Sequence, residues 1–117
     1  MLFICYPKCT TCKKARAWLA ANGVSFDERD IKADRPTRAE LAAWLDASGL
    51  EPRRFFNTSG QLYRDMGLSS RVASMTRDEA LDLLATDGML VKRPILVGEG
   101  FVLVGFREDE WKAALGK

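Results

Sequence analysis

The chain contains no histidine. That absence excludes His-based nucleophilic triads, His metal sites and His proton shuttles, so any reaction must run on other groups. Cysteine is scarce as well: Cys5, Cys9 and Cys12 are the only three, all within the first dozen residues. An odd count confined to one end of the chain is not the disulfide framework of a secreted scaffold. Three thiols without histidine also make a poor zinc site, because a fourth ligand is not evident; no metal is expected. No run approaches the ~18 apolar residues that span a bilayer. The opening Met1 to Pro7 is too short for a secretory signal and has no basic start. A cytoplasmic protein without membrane contact is expected. Nor does one charge dominate. The 18 basic and 16 acidic residues leave a net +2, which argues against bulk binding to nucleic acid or membranes. No basic stripe or recognition helix stands out, so direct reading of nucleic acid is not expected.

What is present is a chain of 117 residues, 47% of them hydrophobic. That suits one domain, residues 1–117, whose core needs no covalent staples. Leu2 to Tyr6 is a short apolar run halted by Pro7, the pattern of a buried strand. From Thr10 to Asn22 the period becomes helical, with Ala15, Trp18, Leu19 and Asn22 on one face, and Asn22-Gly23 is a helix stop. Val24, Phe26 and Glu28 alternate with polar residues as a second strand. Thr37-Arg38-Ala39-Glu40 and Thr76-Arg77-Asp78-Glu79 both have capping-box spacing and each opens a helix. Between them Pro52 to Gly60 reads as irregular, and Leu62, Tyr63 and Met66 as a short helix. Ile95-Leu96-Val97 and Phe101 to Val104 flank Gly98-Glu99-Gly100 as a hairpin, and Glu108 to Leu115 is an amphipathic last helix. The order is β-α-β, a helical insertion at about 37–88, then β-β-α. That is the thioredoxin arrangement: an α/β, glutaredoxin-type fold with a mixed sheet and an insertion between its halves.

Cys9-Thr10-Thr11-Cys12 lies between the first strand and the first helix. In a β-α-β context this spacing is a redox signal. Cys9 precedes the first turn, where unpaired backbone N–H groups face its sulfur. Cys12 falls on the side of Ala15 and Leu19, and so should be the more buried partner. The attacking species must be a thiolate, yet a thiol of pKa about 8.5 is only about 3% ionised at pH 7. A helix terminus supplies about 0.3–1 kcal/mol, less than one pK unit. A cation should therefore help, and Lys8 and Arg93 are the candidates. Cys5, inside an apolar strand, reads as a core residue. In Lys92-Arg93-Pro94-Ile95 the proline opens a strand, and its peptide bond is trans by default. Arg93 and Arg107 suit oxyanion binding through a bidentate fork, or are solvated surface arginines.

The whole chain resembles the arsenate reductase-like family of thioredoxin-fold proteins, which includes glutathione-type arsenate reductases and Spx-type transcriptional regulators. The resemblance is carried by Tyr6-Pro7-Lys8-Cys9-Thr10-Thr11-Cys12-Lys13-Lys14-Ala15-Arg16, by Asp87 to Ile95 and by Val104-Gly105-Phe106-Arg107-Glu108. It implies that Cys9 is the nucleophile, Pro94 a cis proline, and Arg93 and Arg107 two of the arginines that hold an oxyanion. The third arginine of those enzymes falls near Asn57, with Arg53 and Arg54 close but off register. Glutathione-type reductases usually lack a second cysteine, whereas Spx-type proteins often carry one. The resemblance thus implies a thiol-based oxidoreductase acting on a small oxyanion or a disulfide, with Cys12 resolving and arsenate a poor substrate. No tightly bound cofactor is implied. Electrons would come from glutathione, another low-molecular-weight thiol or a protein thiol reductant. The alternative is a redox-sensing regulator that binds the RNA polymerase α-subunit.

Overall fold

Residues 1–117 are described by a computed structural model. Its centre is a four-stranded sheet in the order β2-β1-β3-β4. β1 (Leu2–Cys5) pairs parallel with β2 (Asp27–Asp30) and antiparallel with β3 (Ile95–Gly98), which pairs antiparallel with β4 (Phe101–Val104). α1 (Thr10–Ala21) is the crossover between the two parallel strands. The insertion holds α2 (Arg38–Ser48), α3 (Gln61–Asp65) and α4 (Arg77–Leu84), and α5 (Glu108–Leu115) ends the fold. This is the thioredoxin-like α/β fold expected from the order of elements. None of the helices is long and apolar enough to cross a membrane.

Alternation along β1 sorts the core into two layers. Phe3 and Cys5 face α1 and α5, where they join Cys12, Ala15, Leu19, Leu96 and Trp111. Ile4 faces the insertion and a larger cluster of 18 buried residues, including Leu41, Trp44, Phe55, Phe56 and Leu81. Trp111 is fully buried, and its indole N–H donates to the Gly105 carbonyl at 3.0 Å. Burying such a side chain is worth about 1.5–3 kcal/mol. This one also ties α5 to the loop after β4, which borders the site described below.

Both capping boxes form. Thr37 accepts from the Glu40 amide and Thr76 from the Glu79 amide, and each glutamate returns a bond to its cap. Three expectations change. The second strand spans Asp27–Asp30, later than the Val24–Glu28 alternation. Val24 and Phe26 instead pack against the α1–α5 layer from the connecting loop, so their alternation marks a packed approach to the sheet. Pro52 to Gly60 is partly regular, since Pro52–Phe55 forms a 3-10 turn. The Arg93–Pro94 peptide bond is cis, which overturns the trans default and agrees with what the family resemblance implied.

Candidate active site

Cys9 is the N-cap of α1, with extended backbone (φ −83°, ψ 124°). Its own amide donates to the Tyr6 carbonyl at 2.9 Å, which holds the sulfur at the mouth of the helix. No side-chain capping bond closes there. Cys9 is half-buried, and this desolvation is the largest influence on its thiol, opposing ionisation. The Cys12 amide and thiol, the Thr11 amide and the Arg93 guanidinium outweigh it together and hold the Cys9 thiol below its ordinary range. Cys12, one turn on, is fully buried with Ala15 and Leu19. Burial pushes its thiol up to about 12 against one favourable contact, the Tyr6 amide donating to its sulfur at 3.4 Å. The two thiols of one motif are therefore driven in opposite directions, and both are reduced. Cys5 is fully buried on β1 and raised by burial, although the Arg16 guanidinium, paired with Glu28 at 2.6 Å, donates to its sulfur at 3.5 Å.

Cys9 opens onto a cavity of about 680 Å³. That lies within the roughly 300–1,000 Å³ of small-ligand sites and exceeds the space a single oxyanion needs. Five cations line it: Lys8, Arg54, Lys92, Arg93 and Arg107. No carboxylate lines it, and none of the five takes part in an ion pair. Thr10, Thr11, Asn57 and Ser59 add polar groups. No group of three Asp, Glu or Cys side chains gathers in a way that could hold a metal ion.

The sequence-derived candidates Lys8, Cys9, Asn57, Arg93 and Arg107 thus meet around one cavity. Pro94 is buried directly behind it and accepts the Gly105 amide at 2.8 Å through its carbonyl. Cys12 lies beneath the cavity and does not line it. Sequence reasoning missed Arg54, set aside as off register, and Lys92, quoted in a motif but given no role. Both are brought in by an isolated bridge between Phe56 and Val91. The Asn57 amide donates to Leu90 O at 2.7 Å and the Lys92 amide to Phe55 O at 2.8 Å. These bonds staple the 54–57 segment of the insertion to the segment ahead of β3 that carries Arg93. The 3-10 turn at Pro52–Phe55 then separates its two arginines. Arg53 pairs with Glu51 at 3.0 Å outside, and Arg54 faces the cavity. The adjacent pair Arg53-Arg54 was the available signal, but nothing in the sequence says which of the two turns inward. Lys92 lies along Gly105 so closely that a Cβ there would stand 2.9 Å from its Cε. Gly105 also has φ +74°, so its backbone conformation reserves the position for glycine.

The family model for the ArsC family matches residues 5–114. The chain belongs to the ArsC family. Among solved structures it is similar to an ArsC family related protein from Bacteroides fragilis, with 51% identity, a TM-score of 0.93, and 96% and 94% of the two chains covered. Among curated proteins it is 45% identical to the uncharacterized protein YusI of Bacillus subtilis (strain 168), over 96% of this chain and 95% of that one. It is 33% identical to the regulatory protein MgsR of the same organism, over 94% of this chain and 86% of that one. The relatives of this chain thus include a protein described as a regulator, and likeness alone does not separate catalysis from regulation.

Proposed function

We propose that this ArsC-family protein is a thiol-disulfide oxidoreductase for small anionic substrates, with Cys9 as nucleophile and Cys12 as resolving thiol. The observation that carries the reading is a half-exposed thiol of lowered pKa opening onto a cavity whose five cations have no carboxylate partner. The Cys9 thiolate attacks one sulfur of an anionic disulfide. A Cys9–substrate disulfide forms, and the other half of the substrate leaves as a thiolate. Cys12 then gives up its proton to water and attacks the Cys9 sulfur. The remaining substrate thiolate departs, and the Cys9–Cys12 disulfide is left holding the two oxidising equivalents. Two thiols of glutathione, another low-molecular-weight thiol or a dithiol protein reduce it and become a disulfide in turn. Burial keeps Cys12 protonated at rest, so it does not compete for substrate and acts only when a mixed disulfide stands one turn away.

The test is reduction of a dianionic disulfide, followed by mass spectrometry of the protein. Cys9→Ser should abolish turnover, and Cys12→Ser should trap one substrate thiol on Cys9. Mild oxidation of the wild type should link Cys9 to Cys12 and leave Cys5 free. A Cys12→Ser variant that turns over normally, or a main Cys5–Cys9 bridge, would remove Cys12 from its role. A second reading is favoured by one observation, the likeness to a regulatory protein. In it the Cys9–Cys12 disulfide is a switch and the partner is the RNA polymerase α-subunit. Capture of the C-terminal domain of that α-subunit by one redox state only, with no disulfide reduction, would establish that reading instead.

A further inference from the structure

Tyr6 touches Cys9, Cys12 and Arg93, each through a different group. Its carbonyl accepts the Cys9 amide at 2.9 Å, and its amide donates to the Cys12 sulfur at 3.4 Å. Its ring lies under the Arg93 guanidinium, 5.3 Å from centroid to carbon, and its edge packs on the larger core cluster. The first two contacts are backbone and survive any side-chain change except proline. The third belongs to the ring alone. Arg93 has little else to hold it: no carboxylate pairs with it, and its one hydrogen bond, to Met89 O, is long at 3.4 Å. An arginine stem with several rotatable bonds spreads over many positions unless something fixes its head, and a ring face does so while leaving the N–H donors free.

We infer that Tyr6 is a positioning residue, whose ring parks the Arg93 guanidinium beside the Cys9 sulfur while its backbone fixes the two thiols. This rests on the reading of Cys9 as a thiolate nucleophile. A carboxylate in the place of the ring would also hold the arginine, but it would cancel the charge that the thiolate needs. An aromatic face orients a cation without neutralising it. The other charged groups around the sulfur are Lys8, Arg54, Lys92 and Arg107, which line the same cavity, with the Cys12 thiol beneath. Of the five cations only Arg93 stacks on the Tyr6 ring, so removing the ring acts through Arg93.

The experiment measures the alkylation rate of Cys9 against pH in the full chain carrying Cys12→Ser, with thermal melts as a check on folding. Tyr6→Phe should follow the parent profile. Tyr6→Leu should move the profile to higher pH and slow alkylation at pH 6 by about three- to tenfold, the scale of one cation–π contact. Arg93→Ala should slow it at least as much, and adding Tyr6→Leu to Arg93→Ala should slow it no further. Tyr6→Met carries the same test if the leucine variant does not fold. An unmoved profile in Tyr6→Leu beside a shifted one in Arg93→Ala overturns the role of Tyr6 and leaves that of Cys9 standing. Effects that add in the double variant also overturn it, since they assign Tyr6 a role independent of Arg93. If Arg93→Ala itself leaves the profile unmoved, the activation of Cys9 by Arg93 falls, and the inference falls with it.

Discussion

The cavity over Cys9 and the outer surface of the insertion are both rich in arginine, and they use it in opposite ways. Three guanidinium groups packed against α2 and α4 are paired. Arg29 meets Glu40 at 2.6 Å, Arg38 bridges Asp78 at 2.9 Å and Asp82 at 2.5 Å, and Arg77 reaches Asp46 at 2.7 Å. These pairs link α2 to α4 and to the end of β2, and each satisfies its charge inside the protein. In the cavity Arg54, Arg93 and Arg107 have no such partner, and neither do Lys8 and Lys92. Uncompensated like charges repel, so gathering five of them around one cavity works against folding unless a ligand supplies the counter-charge. A paired arginine fastens two elements together. An unpaired one keeps its charge available to a thiolate or to an incoming anion.

The largest expected effect comes from reversing a cavity charge. Arg93→Glu puts a carboxylate beside Cys9 and should slow its alkylation at pH 6 by roughly a hundredfold, whereas Lys8→Ala should slow it only about twofold, because Lys8 is exposed and unfixed. Equal effects from both would show that position in the cavity does not matter. In the wild type, Cys9 reactivity should rise through a pH range below that of an ordinary thiol, since its lowered pKa moves ionisation to lower pH.

Next in size, Arg54→Ala should weaken protection of Cys9 by arsenate or phosphate about tenfold, the worth of one charge-assisted contact. Asn57→Ala should weaken it less than threefold. Asn57 is committed to its own loop, where its carbonyl accepts the Gly60 amide at 3.1 Å and its Oδ1 accepts the Ser59 hydroxyl at 3.4 Å. Steady-state arsenate reduction, with glutathione and glutaredoxin supplied, should be weak. Turnover at the level of a dedicated arsenate reductase would make arsenate the leading substrate.

The paired surface should respond more gently and through stability. Glu40 is held down to about 2 by the Arg29 guanidinium, with the Thr37 cap adding to it against some desolvation. Its side chain is about a third exposed, at 35%, which screens the pair. A folded-state pKa below the unfolded one contributes stability above the unfolded value, and that contribution fades as pH falls through the folded one. Urea melts of Glu40→Gln should therefore show a loss of about 0.5–1 kcal/mol at pH 7, shrinking below pH ~4 and gone near pH 2. Arg77→Ala should cost no more than about 0.5 kcal/mol at any of these pH values. A loss of several kcal/mol there would mean that the paired surface organises the insertion and does not merely fasten it.

Much of this was legible before any coordinates. Thr37 with Glu40, and Thr76 with Glu79, announce their helices because the capping box is a contact between residues three apart. The hairpin at Gly98 to Gly100 is legible for the same reason. The spacing of Cys12, Ala15 and Leu19 marks the buried face of α1, because side-chain direction repeats every 3.6 residues. The placement of the C-x-x-C pair could be read from Cys9 and Cys12 alone, since the spacing itself puts one thiol at the helix mouth and the other one turn inside.

The rest depended on residues far apart in the chain. Val24 and Phe26 alternate like a strand, but only the register against β1 shows that pairing begins at Asp27, because hydrogen bonding to a neighbour and not alternation makes a strand. The choice of Arg54 over Arg53 was made by the bridge from Phe56 to Val91, and the course of Lys92 by a bare Gly105. Local sequence determined which thiol stands at the helix mouth, which is buried one turn on, and which helices would form, since capping, periodicity and spacing act over a few bonds. Tertiary structure alone decided which charges surround the Cys9 thiol. Electrostatic environment depends on distance in space, and the five cations come from positions 8, 54, 92, 93 and 107, which only the folded sheet and its stapled insertion bring to one cavity.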